Sequence, residues 1–100
     1  MLKHIVMWRL KDEAEGGTKA ENAKKMKEIL EALPAKVPGV LKLEVGINVV
    51  ASETCCDVCL YSEFNNLAEM DAYQAHPEHQ KCVAFIKAVA AERRATDYEC

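Results

Sequence analysis

Histidines stand at His4, His76 and His79, and Tyr73 stands six residues before the last of them. Imidazole takes up and returns a proton near neutrality, its ordinary pKa being about 6.5, so a histidine in a dry pocket is a natural general base. A phenol can donate a hydrogen bond to a developing enolate or alkoxide, which is the work of an oxyanion stabiliser. His79 is therefore the candidate base and Tyr73 the candidate donor, the two converging on a carbonyl across the break at Pro77. His4 shares one side of an alternating run with Val6 and Trp8, a polar handle among apolar walls, as small-molecule sites are built. Each residue also has a plainer reading. His76, just before Pro77, reads first as a helix cap, His79 as a residue fixing the turn between two helices, and His4 as a satisfied core histidine. Tyr73 and Trp8 read first as core or cavity wall.

Other chemistries find less support in the residues. Five cysteines are an odd number, which disfavours a disulfide framework, and the Cys56/Cys59 pair lies in an apolar run, Cys55 to Tyr61, that reads as a strand. On a strand these two side chains point apart, and zinc needs four converging ligands, so the cysteines read as small buried hydrophobes, Cys100 excepted. There is no glycine-rich phosphate loop, no Gly-x-Ser-x-Gly and no His-Glu-x-x-His. Asp12, Glu13 and Glu15 read as a solvated turn rather than a metal site, and Lys24, Lys25 and Lys27 as a helix surface balanced by Glu21, Glu28 and Glu31. A net charge of −3 lacks the basic footprint of a nucleic-acid binder. No apolar run approaches the ~20 residues a membrane helix needs. The expectation is a cytoplasmic protein with no metal and no required cofactor.

The elements that must position these residues follow from periodicity. One hundred residues, half of them hydrophobic and 29% charged, make one folded domain over residues 1–100. Leu2 to Leu10 alternates Leu2, His4, Val6, Trp8 and Leu10 against Lys3, Ile5, Met7 and Arg9, a strand with both faces partly apolar. Thr18 with Glu21 signals a capped helix carrying Met26, Ile29, Leu30 and Leu33, ended by Pro34, Pro38 and Gly39. Strands are expected over Leu41 to Val49 and Cys55 to Phe64, then a short helix from Asn66, a second from Pro77 to Ala91, and a last strand from Arg93 to Cys100. Strand, helix, strand, strand, helix, strand is the split βαβ pattern: α+β, ferredoxin-like, a four-stranded antiparallel sheet with helices on one face. The other face, with Ile5 and Met7, then needs a cover, and a second copy of the chain is the economical one.

The chain resembles the stress-responsive A/B barrel domain family, within the dimeric α+β barrel superfamily, from end to end. The resemblance rests on the opening Leu2-Lys3-His4-Ile5-Val6-Met7-Trp8-Arg9-Leu10-Lys11-Asp12, on Ser62-Glu63-Phe64, on Tyr73-Gln74-Ala75-His76-Pro77-Glu78-His79, and on Asp97-Tyr98-Glu99. It implies a ferredoxin-like protomer and a homodimer whose sheets form a barrel with an interior cavity. Members include plant stress proteins, bacterial proteins and a plant polyketide cyclase that closes a ring by aldol-type chemistry without a cofactor. In that cyclase a tyrosine and a histidine of the Tyr-x-x-His-Pro-x-His segment do the chemistry; Tyr73 and His79 match them, and His4 matches a histidine lining the pocket. The chain departs from the cyclase on the third strand, which there carries a further histidine and here only Cys, Asp and Val. The expectation is a binder of a small apolar or carbonyl ligand, a cyclase- or lyase-like enzyme with His79 and Tyr73 catalytic and with His4, Val6, Trp8 and His76 around the ligand. The alternatives are a non-catalytic stress or interaction protein, and a monooxygenase-like or haem-binding barrel with a histidine as axial ligand.

Overall fold

The alternation of the first strand decides the layout. In the computed structural model, which describes residues 1–100, the chain runs β1 (Leu2–Leu10), β2 (Glu13–Ala14), β3 (Gly17–Thr18), α1 (Lys19–Glu31), β4 (Lys42–Ile47), β5 (Val58–Phe64), α2 (Leu67–Ala75), α3 (Pro77–Val89) and β6 (Ala90–Glu99). Leu2, His4, Val6, Trp8 and Leu10 are buried, while Lys3, Ile5, Met7 and Arg9 are half-buried or exposed. Strand β1 pairs antiparallel with β5 on one side and β6 on the other, and β4 lies outside β5, giving the order β4-β5-β1-β6. This is the expected ferredoxin-like sheet. Residues directly across a ladder share a face, so Val58, Leu60, Ser62 and Phe64 join the buried side of β1. The helices bring Met26, Leu30, Tyr73 and Val89 down onto that side to complete the core.

The start of α1 is the capping box that Thr18 and Glu21 announce. Thr18 Oγ1 accepts the Glu21 N–H at 3.2 Å, and the Glu21 carboxylate accepts the Thr18 N–H at 2.9 Å. Just before it lies a hairpin that periodicity does not reveal, because two-residue strands have no period. Its turn residues Glu15 and Gly16 both have positive φ, at 50° and 75°, the geometry that closes a two-residue loop between Ala14 and Gly17. The buried Asn22 fastens the hairpin by donating to the Ala14 carbonyl at 3.0 Å, and it sits so close that a Cβ on Gly17 would lie 3.0 Å from its Oδ1.

Three boundaries differ from the alternation pattern. Strand β4 ends at Ile47, where the Asn48 side chain donates to the Val50 carbonyl at 2.6 Å and accepts the Val50 N–H at 3.3 Å, leaving Val49 94% exposed. Its middle is held by α1: Lys27 Nζ donates to the Val45 carbonyl at 2.5 Å and the Glu31 carboxylate accepts the Val45 N–H at 3.1 Å. Strand β5 begins at Val58 rather than Cys55, with Asp57 turned to tie down β1. Its carboxylate accepts the Leu10 N–H at 2.8 Å, and its own N–H donates to the Trp8 carbonyl at 2.8 Å. Cys56 therefore lies outside the strand and does not point away from Cys59; both line one shallow apolar cleft with Met7 and Ile47. Helix α3 stops at Val89, and β6 follows at once from Ala90, already extended at φ −83° and ψ 137°.

Replacing Thr18 by Ala removes one half of the capping box and costs about 1 kcal/mol. The expected result is a thermal midpoint lower by roughly 4–8 °C, as for other domains of this size. An unchanged midpoint would show that packing alone starts the helix.

Candidate functional site

A cavity of about 110 Å³ lies between the buried face of β1 and helix α3. His4, Val6 and Trp8 line it from β1, His79, Val83 and Ile86 from α3, and Gln74 from the end of α2. Lys87 and Arg93, both exposed, form its mouth. The strand alternation thus carries three of the expected residues to one wall, and the kink at Pro77 brings His79 to the opposite one.

His4 is 3% exposed, and its Nδ1 meets the carboxylate of Asp97, its cross-strand partner on β6. A carboxylate can only accept, so the neutral ring keeps its proton on Nδ1 and its lone pair on Nε2. His79 is fixed in the same tautomer: its Nδ1 lies 3.1 Å from the Gln74 carbonyl, which leaves Nε2 as the acceptor. Burial pushes the His79 pKa below its ordinary value of 6.5; the Gln74 carbonyl opposes this, while the Arg93 charge, and any proton gained by His4, would lower it further. At neutral pH His79 is therefore an uncharged base.

Tyr73 packs its ring on His79, with centroids 4.6 Å apart, and on Phe64 at 5.1 Å. It does not form part of the cavity wall. Its hydroxyl is enclosed and has no hydrogen-bond partner, and burial pushes its pKa far above the ordinary 10, so it remains a proton donor. His76 stands apart from the cavity and caps α3, its Nδ1 accepting the Glu78 N–H at 3.1 Å. The stretch Cys55 to Val58 contributes no side chain to the cavity, and nowhere do three or more His, Cys, Asp or Glu side chains converge as metal ligands.

Four members of the site carry no local signal in the sequence. Asp97 reaches His4 only through strand register, Gln74 acts through its carbonyl, and Lys87 and Arg93 meet at the cavity only through the packing of α3 against β6. Register and helix placement are tertiary facts that periodicity does not contain.

A four-stranded antiparallel sheet with helices on one face and a small cavity beneath them defines a ferredoxin-like α+β protein. The chain belongs to the Stress responsive A/B Barrel Domain family, whose model matches residues 2–100. A dimeric protein of unknown function from Bacteroides fragilis is 37% identical, with a TM-score of 0.89 over 99% of this chain and 95% of its own. A dimeric ferredoxin-like protein from Thermobifida fusca is 22% identical, with a TM-score of 0.84 over 99% of this chain and 90% of its own. The hydroxynitrile lyase of Passiflora edulis shares the fold at 15% identity, with a TM-score of 0.78 over 97% of this chain and 90% of its own. No curated protein matches. No helix is long and apolar enough to cross a membrane.

The lowered pKa of His79 has a consequence for stability. Between its folded value and 6.5 the unfolded chain binds the extra proton, so the stability contributed by neutral His79 is complete above about 6.5 and drains away as pH falls toward the folded value. Urea denaturation between pH 7.5 and 5 should therefore show the parent protein losing more stability on acidification than His79→Gln. Parallel curves would mean that His79 titrates alike in both states.

Proposed function

We propose that this protein is a homodimer that binds a small carbonyl compound in the cavity of each protomer and moves a proton on it without a cofactor. His79 Nε2 accepts the proton, the Tyr73 hydroxyl donates to the oxyanion that develops, and His4, Val6 and Trp8 shape the pocket. The observation that carries this reading is the Tyr73 hydroxyl, buried without a partner and set on a ring packed against a neutral imidazole. A buried donor left unpaired costs roughly 1–3 kcal/mol, a cost that selection retains where a ligand supplies the missing acceptor. Because the hydroxyl is enclosed, the His79 side chain must shift as the ligand enters. A cavity this small does not take a macrocycle, which turns the reading away from haem. That a lyase shares the fold supports a cyclase- or lyase-like enzyme only by analogy.

The enclosure of the same hydroxyl also favours a second reading, a stress or interaction protein in which these residues only pack. Hydrogen–deuterium exchange at carbon α to a carbonyl, followed by NMR with acetophenone and pentane-2,4-dione in D2O, separates the two. Catalysis requires exchange above buffer that falls by roughly 10²–10⁴ in His79→Gln, the usual contribution of a general base. Tyr73→Phe should lose exchange too, yet melt at a higher temperature because the unpaired hydroxyl is gone. Loss of stability in Tyr73→Phe, with no exchange in the parent protein, would leave the packing reading standing.

The open face of the sheet supports the dimer. Ile5, Met7, Cys59 and Tyr61 form an apolar centre there, with Met7 41% exposed, and Lys3, Lys42, Glu44, Glu63 and Arg94 surround it with both signs of charge. A patch of that kind can be complementary to itself across a two-fold axis. Met7→Glu should shift sedimentation at micromolar concentration from dimer to the 11.2 kDa monomer, and a monomeric parent protein would overturn the assembly.

A further inference from the structure

We infer that the ligand of this cavity is a small carboxylate with an apolar body, its charge held at the mouth by Arg93 and Lys87 and its far end placed between His79 and His4. This rests on the reading of the cavity as a ligand site and adds the class of molecule it takes. Arg93 lies opposite Trp8 in the β1–β6 register and so points to the helix side of the sheet, while Lys87 comes from α3 on the other wall. Both line the cavity and also an adjoining groove of about 230 Å³ that shares Trp8 and Ile86 with it.

Neither cation has a partner. Neither Lys87 nor Arg93 takes part in any ion pair, and neither donates a side-chain hydrogen bond, although the neighbouring Arg9 and Arg94 both meet Glu92. Glu92 also lines the groove and is engaged by those two arginines, and Asp97 is engaged by His4. The mouth is thus a cationic spot on a chain of net charge −3, above a wall of Val6, Trp8 and Ile86. A guanidinium with free N–H donors beside an ammonium matches a carboxylate, which Arg can grip with two bonds at once. The apolar wall matches a hydrocarbon body, and at the far end His79 Nε2 is the acceptor for the proton to be moved.

Benzoate and its neutral isostere benzamide test the inference, with the His79 ring resonances followed by NMR at fixed ionic strength in the parent protein, Arg93→Gln and Lys87→Gln. Benzoate should bind the parent about tenfold or more tighter than benzamide, as a hydrogen bond to a charged group warrants, and Arg93→Gln should abolish the preference. Added salt should weaken benzoate and leave benzamide unchanged. Equal affinities, or a benzoate preference that survives both substitutions, would overturn the carboxylate assignment while leaving the cavity as a ligand site. If neither compound moves the His79 resonances, the cavity reading fails along with it.

Discussion

The register of β1 between β5 and β6 is the constraint on which everything else in this molecule rests. Successive side chains of a strand face opposite ways, so one register puts Leu2, His4, Val6, Trp8 and Leu10 under the helices and Ile5 and Met7 on the open face. The same register brings Asp97 beside His4, Arg93 beside Trp8 and Ser62 beside His4 on the other flank. A slip of one residue would move all of these to the wrong side at once. Core, cavity, the His4–Asp97 hydrogen bond and the open face are thus one decision, and the bonds from Asp57 to Leu10 and Trp8 hold the end of β1 in that register.

Buried polar groups show where stability alone governs and where it does not. Asn22 satisfies the hairpin carbonyls, Ser62 donates to the His4 carbonyl at 3.3 Å, and His4 meets Asp97. Each of these ties two elements together. Tyr73 is the exception, fully buried and unpartnered although its ring completes the contact between Phe64 and His79. Phenylalanine would fill that space without an orphaned hydroxyl, so packing explains the ring and leaves the oxygen unexplained.

How much of this was legible in the residues depends on the range of the signal. The capping box of α1 is a four-residue signal and stands where Thr18 and Glu21 place it; the alternation of β1 spans nine residues and reads as cleanly. His76 declares itself by preceding Pro77, and it caps α3. Where the reading failed, a tertiary contact had replaced the local period: Asp57 leaves the alternation to bind β1, so β5 starts three residues late and Cys56 and Cys59 share a cleft. The sequence puts Asp97 and Arg93 on the last strand but does not give their partners, because nothing local says which residue of one strand lies across from which of another.

The electrostatics of the site tie its two ends together. Burial and Arg93 act in the same direction on His79, keeping it neutral and making it a weak base. An anion bound at the mouth would offset the charge of Arg93, and closing the mouth would deepen the desolvation that opposes it. Of these two effects the second works on the larger cause, because burial lowers the His79 pKa most and Arg93 lowers it least. Occupancy would then leave His79 neutral, with its Nε2 lone pair free to take a proton. The arrangement also accounts for a neutral rather than a charged imidazole at the cavity wall: a histidinium there would attract the carboxylate to the wrong end and leave no lone pair for the proton.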